Sequence, residues 1–250
     1  KYSPYKSLTT DQHDSILEII NLLTKEENST IFIEGGSGTG KTILAVYLMK
    51  LLKTEIRDHH LDEEDESYST ELRMILKLKE ELPNPNVALV VPMISLRKTL
   101  KKVFRNVKGL KSSMVIGPSE AAKYQYDLLI VDEAHRLRKR KNITNFGGFD
   151  KTNDRLGFDK HEGTELDWIL KKSKNQILFY DEAQSIKPSD IDKNKFHSLK
   201  KKAYSLKLFS QHRVQGGIDY INFTDNLLNC RLEKGDIVFE SDDYELVLYD

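Results

Sequence analysis

A chain of 250 residues, 38% hydrophobic and 31% charged, can close a sizeable core; this excludes disorder and leaves room for one large α/β domain, or one domain and part of another. Its formal net charge is zero, so no global field draws it to nucleic acid, and any such surface has to be a local patch. The single cysteine, Cys230, excludes an internal disulfide and points to a reducing, cytoplasmic setting; no stretch has the length of a membrane span, and KYSPYKSLTT at the start lacks the pattern of a signal peptide.

Apolar residues at helical spacing in DSILEIINLL (14–23), behind Asp11 as a cap, predict a first helix. TIFIE (30–34), β-branched and followed by glycines, predicts a buried strand, and KTILAVYLMKLLK (41–53) a helix. Residues 54–86 read as an insertion that holds the acidic run DEEDE (62–66), a solvated face, and a helix over 69–81 closing at LPNPN. VALVVP (87–92) is the next strand, and a basic helix follows over 95–106. LLIV (128–131) and ILFY (177–180) are further strands, separated by a glycine- and charge-rich loop and a helix near 164–173. SLKLFS (205–210) begins another strand, and the tail DIVFESDDYELVLYD carries two strand-like pieces. Short, wholly apolar strands alternating with helices predict an α/β fold with a mostly parallel sheet covered on both faces, its ligands at the carboxyl ends of the strands.

GGSGTGKT (35–42) satisfies G-x-x-x-x-G-K-[ST] between a strand and a helix, the context a phosphate-binding loop needs. Gly35, Gly36, Ser37, Gly38, Thr39 and Gly40 wrap backbone amides toward phosphate oxygens; Lys41 reaches the β- and γ-phosphates, and Thr42 offers its hydroxyl to Mg²⁺. LLIVDEAHRL (128–137) and ILFYDEAQSI (177–186) each end an apolar run on Asp-Glu-Ala. In the first, Asp132 is read as the Mg²⁺ ligand, mostly through water, and Glu133 as the group that polarises the attacking water. A second acid pair cannot share that metal without crowding like charges, so the second triplet reads as a sensor in which the neutral amide of Gln184 reports on the γ-phosphate. Glu182 is read as a structural capping acid.

Together with LTTDQ (8–12) and LFSQHR (208–213), these segments resemble, in order, the Q motif and motifs I to IV of superfamily 1 helicases. The likeness is nearest to the helicase-like P-loop domain of Schlafen-type proteins, and RVQGGIDY (213–220) matches a further string of that group. The resemblance implies a RecA-like domain over 1–204 and the truncated opening of a second RecA-like domain over 205–250. It implies that Gln12 reads the adenine edge and that Arg213 reaches the γ-phosphate from the second domain. His212 stands where many relatives place a base-stacking tyrosine.

For nucleic acid, PMISLRKTLKKVFRNVKGLK (92–111) is basic, has no acid and follows a strand where motif Ia sits; Ser95, Arg97 and Lys98 are its candidate phosphate contacts. HRLRKRK (135–141) is a second basic run, and Phe104, Phe146 and Tyr180 are aromatic candidates for stacking, each with core packing as the competing reading. The expected function is the ATP-binding and ATP-hydrolysing core of a helicase or translocase on single-stranded DNA or RNA, with ATP and Mg²⁺ and no membrane partner. The whole would be a fragment, compatible with a fused or partnering nuclease or effector domain. A nucleotide-switched regulatory or defence module that gates a partner without unwinding is the alternative.

Overall fold

The computed structural model describes residues 8–25, 28–53, 70–185, 187–209, 217–228, 231, 238–241 and 244–247. The acidic run at 62–66, Cys230, His212 and Arg213 lie outside the described residues. In the first half of the chain the elements are α1 (Thr10–Lys25), β1 (Thr30–Glu34), α2 (Lys41–Lys53), α3 (Thr70–Glu81), β2 (Val87–Val90), α4 (Ile94–Arg105), β3 (Val115–Ile116), α5 (Pro118–Ala121) and β4 (Tyr126–Val131). There follow α6 (Phe146–Leu156), α7 (Glu165–Lys172), β5 (Ser173–Tyr180), α8 (Lys193–Lys200), β6 (Tyr204–Lys207), α9 (Gly217–Leu228), β7 (Val238–Ser241) and β8 (Tyr244–Val247).

Six strands form one sheet in the order β3-β2-β4-β5-β1-β6, every pair parallel. Alternate side chains of each strand enter different cores, which is why the strands read as unbroken apolar runs. Ile31 and Ile33 of β1, Leu128 and Ile130 of β4, and Ile177 and Phe179 of β5 pack with α1, α2 and α4. Phe32, Leu129, Val131, Leu178 and Tyr180 face the other way, against Leu166 and Ile169 of α7 and Phe196 of α8. Helices therefore cover both faces, the RecA-like α/β arrangement the resemblance implies. A small third cluster of Ala122, Ile143, Phe149, Leu156 and Trp168 binds α6 and α7 to each other.

Three expectations change. The first helix begins at Thr10 rather than beyond Asp11, because Thr9 caps it: the Thr9 hydroxyl accepts from the Gln12 amide at 3.4 Å while Gln12 Oε1 accepts from the Thr9 amide at 3.2 Å. The strand assigned to the opening of a second unit at 205 is β6, which pairs with β1 and so edges the first sheet. The stretch read as a loop between β4 and β5 contains α6, closed by the left-handed Gly157. The two tail pieces do form strands, β7 and β8, paired antiparallel in a separate sheet. Among the described residues no helix is long and apolar enough to cross a membrane.

Candidate nucleotide-binding site

The sheet order brings the motifs together. β5 lies between β4 and β1, and the registers Glu34↔Tyr180 and Val131↔Leu178 put the residues that follow all three strands on one rim. The loop after β1 starts α2, the first Asp-Glu-Ala follows β4, and the second follows β5.

The loop at 35–42 is shaped by its surroundings. Gly40 has φ 83°, which favours glycine, and a Cβ there would displace the Gln12 amide from its place. Gln12 is buried, and its Nε2 donates to the Thr39 carbonyl at 3.0 Å. One amide thus caps α1 and braces the phosphate-binding loop. Neighbouring Asp11 accepts the Phe209 backbone N–H at 2.9 Å and so ties the chain after β6 to the same corner. Lys41 is buried and donates to the carbonyls of Gly35 at 2.6 Å and Gly36 at 2.8 Å.

Thr42 Oγ1 donates to Asp132 Oδ2 at 2.8 Å. Asp132 is wholly buried; that burial, with the charge of Glu133 beside it, pushes its carboxyl up to about 7 against the opposing pull of Thr42 and Lys41. Two hard oxygen donors at hydrogen-bond distance suit a magnesium ion, whose charge would reverse that upward shift. Among the described residues no group of three or more His, Cys, Asp or Glu could hold a metal, so nucleotide phosphate oxygens would have to complete the set.

Glu133 has a left-handed backbone, φ 58° and ψ 47°, at the turn into a 3-10 helix over Ala134–Arg136. The other non-glycine residues with positive φ among the described ones are Asn28, Asn84 and Asn142, and asparagine tolerates that region. For a glutamate the conformation costs roughly 1 kcal/mol or more, and such strain collects at functional sites. Burial pushes the Glu133 carboxyl up, but contact with His135 and the charges of His135, Lys41 and Arg136 hold it below its ordinary value overall.

The second triplet meets the phosphate-binding loop at Asp181. Its Oδ2 lies 3.7 Å from Lys41 Nζ and accepts from Gln184 Nε2 at 2.6 Å, so the lysine and the glutamine share one oxygen. Gln184 therefore faces the corner where Lys41 stands. In the sequence Asp181 is marked by the repeated Asp-Glu-Ala alone, where the working residue of the second triplet is read as Gln184. The capping role expected of Glu182 belongs to Asp181, which accepts from the Ala183 amide at 3.2 Å. Glu182 instead reaches α8, 3.2 Å from His197 Nε2 and 3.7 Å from Lys193 Nζ.

The basic candidates divide. Ser95 and Lys98 are exposed on the first turns of α4. Arg97 turns inward: its Nη1 donates to the Val91 carbonyl at 2.8 Å, and a Cβ on Gly117 would collide with it. The run at 135–141 is neutralised from within. Arg136 pairs with Asp190, Arg138 with Glu165, Lys139 with Asp192 and Arg140 with Asp150. Phe104 and Tyr180 are core residues, and Phe146 is exposed, with the Arg140 guanidinium 4.9 Å from its ring centroid.

The family model for the Schlafen group 3 DNA/RNA helicase domain matches residues 28–250, nearly the whole chain. The chain belongs to that family. It is a P-loop, nucleotide-binding NTPase core of the Schlafen group 3 helicase-like type. No curated protein matches it. Among solved structures it is similar to replication initiator DnaA bound to AMPPCP and single-stranded DNA, at 14% identity and TM-score 0.38 over 93% of this chain and 56% of that one. It is similar also to AMPPCP-bound DnaA from Aquifex aeolicus, at 14% identity and TM-score 0.37 over 95% of this chain and 58% of that one. A third is domain III of the Thermotoga maritima replication initiation protein DnaA, at 11% identity and TM-score 0.38 over 94% of this chain and 78% of that one. The Schlafen-type chain thus spans little more than half of the first two, and likenesses this distant assign it no ligand.

Proposed function

We propose that this chain binds ATP and hydrolyses its terminal phosphoanhydride as the first RecA-like core of a superfamily 1-like helicase or translocase acting on single-stranded DNA or RNA. The observation that carries the reading is the meeting of Lys41, Asp181 and Gln184 on one carboxylate oxygen, on the rim where Thr42 meets Asp132. Backbone amides of 35–42 receive the phosphates, and Lys41 exchanges the Gly35 and Gly36 carbonyls for β- and γ-phosphate oxygens. Gln12 retains a second amide hydrogen and a second lone pair for the adenine edge while bracing the loop. Thr42 and Asp132 would hold magnesium, which would supply positive charge against the phosphates. Glu133 accepts the proton of the attacking water.

Gln184 exchanges Asp181 for the γ-phosphate, so the second triplet detects whether that phosphate is present. Arg213, in the opening of a second RecA-like domain, adds positive charge to the transition state. Ser95 and Lys98 on α4 hold backbone phosphates of the strand. One observation favours the alternative, a nucleotide-switched module that gates a partner: Arg97 and, in the run at 135–141, Arg136, Arg138, Lys139 and Arg140 have internal partners, which narrows the basic surface on offer.

The test is magnesium-dependent ATP turnover with and without single-stranded DNA and RNA, in the wild-type chain and in Glu133→Gln. The helicase reading expects stimulation by a nucleic acid and a loss of about 10²-fold or more in the variant with nucleotide binding retained. Turnover indifferent to both nucleic acids would favour the switch, and full turnover in Glu133→Gln would remove Glu133 from the chemistry.

A further inference from the structure

His135 is wholly buried three residues beyond Asp132, and among the described residues its Nδ1 has no hydrogen-bond partner. Its Nε2 lies 2.9 Å from Glu133 Oε2, within contact distance but off the line of a hydrogen bond. Burying an imidazole with one nitrogen unpartnered is unfavourable, so the position asks for a reason other than packing. Glu133 supplies it. Its backbone is held left-handed, and its carboxylate, still partly exposed, has to point into the pocket rather than relax toward solvent. The tautomer protonated at Nε2 is the one that presents a donor to that carboxylate. Tyr180 stands beside the imidazole, ring centroids 6.4 Å apart and steeply inclined, and among the described residues the Tyr180 hydroxyl is likewise buried without a hydrogen-bond partner. Tyr180 is the residue before Asp181, so the two Asp-Glu-Ala turns touch through this pair of rings.

We propose that His135 is a positioning residue: through Nε2 it fixes the Glu133 carboxylate toward the nucleotide, and through Tyr180 it sets that orientation relative to the Asp181–Gln184 turn. The inference rests on the reading of Glu133 as the water-activating group. A buried imidazole is rigid where a solvated side chain is not, and it needs no reorganisation at the moment of reaction.

The test compares wild type, His135→Ala, His135→Gln, Glu133→Gln and the double variant His135→Ala/Glu133→Gln in ATP turnover, ATP-analogue binding and thermal unfolding. His135→Ala is expected to lower kcat about 10- to 100-fold, the usual loss when an orienting partner is removed, with analogue binding changed less than twofold. His135→Gln, which keeps an N–H near the position of Nε2, recovers part of the loss. In the Glu133→Gln background the alanine change has no further effect, because its only route is through that carboxylate. A readout independent of turnover is the ¹⁵N spectrum of the histidine side chains. The signal lost in His135→Gln should show the Nε2–H tautomer in the wild type and move in Glu133→Gln. If Glu133→Gln abolishes turnover while His135→Ala leaves kcat intact, the positioning role is overturned and the reading of Glu133 stands. If Glu133→Gln itself turns over normally, that underlying reading fails. Equal losses in kcat, binding and melting temperature in both His135 variants would mean a merely structural histidine and would also overturn the proposal.

Discussion

Asp132 is a side chain on which burial and charge act strongly. Its carboxyl is pushed up to about 7, first by burial and then by Glu133, from an ordinary value near 3.8. Between those two values the folded chain holds a proton that the unfolded chain has released. Stability of the nucleotide- and metal-free protein should therefore fall as pH rises through this window, by up to about 1.4 kcal/mol per pH unit from this group. Melting temperatures from pH 5 to 7.5, for wild type against Asp132→Asn, check it: the wild type should lose ground on the variant as pH rises, and parallel curves would contradict the assignment. This residue was legible in the sequence because an apolar run ending in Asp-Glu after a phosphate-binding loop is a local pattern. Gln12 was legible only in part. Its place beside the loop followed from the motif order, but its use as a brace to the Thr39 carbonyl depends on a contact across 27 positions of sequence. Gln12→Ala removes both the cap partner and the brace, so nucleotide affinity should drop roughly tenfold, as for a lost buried hydrogen bond. An equilibrium titration with a fluorescent ATP analogue would show it.

Among the elements, the strands that carry the site were read from their apolar ends, bounded by glycine or acid, but β4 and β5 begin earlier, at Tyr126 and Ser173, through polar residues that carry no strand signal. β3 escaped notice because two residues, Val115 and Ile116, carry no periodic signal. α6 was hidden by Gly147 and Gly148 in its first turn; the helix starts regardless because Asn145 Oδ1 accepts the Gly148 amide at 2.8 Å. α8 is polar but for Phe196 and Leu199; Phe196 packs 4.7 Å from Tyr180 between ring centroids and buttresses the second Asp-Glu-Ala turn. The basic run after Glu133 was the least legible, since its acids arrive from distant segments. Arg138 shows what that pairing does. Its Nε and Nη2 donate to Glu165 Oε1 at 3.1 and 2.7 Å, and its backbone amide to Oε2 at 2.9 Å, so the run docks α7 rather than facing a ligand. Glu165 is fully buried. Arg138→Met would leave that carboxylate without its cation, at a cost of about 3 kcal/mol in urea unfolding. Nucleic-acid affinity should be unchanged, which separates a structural arginine from a phosphate contact.

For the molecule as a whole, zero net charge means that any attraction to nucleic acid has to come from a local patch, and the proposed one is the exposed basic side chains of α4. Affinity for single-stranded DNA or RNA should then fall with salt on a shallow slope, and Lys98→Ala should reduce the slope by about one contact's worth without changing ATP-analogue binding. A slope unaltered by that change would move the strand to another surface. The parallel sheet turns two similar triplets into unlike partners: β4 and β5 are neighbours, and β1 completes the pocket on the far side of β5. The measurement that bears most directly on this division is a crystal structure with magnesium and a non-hydrolysable ATP analogue. The expected result has Lys41 on the phosphates, Glu133 facing the γ-phosphate, and the Gln184 amide moved from Asp181 to within hydrogen-bond reach of that phosphate or its water. An analogue bound with Gln184 still held on Asp181 and remote from the γ-phosphate would contradict the assignment of hydrolysis to the first triplet and detection to the second.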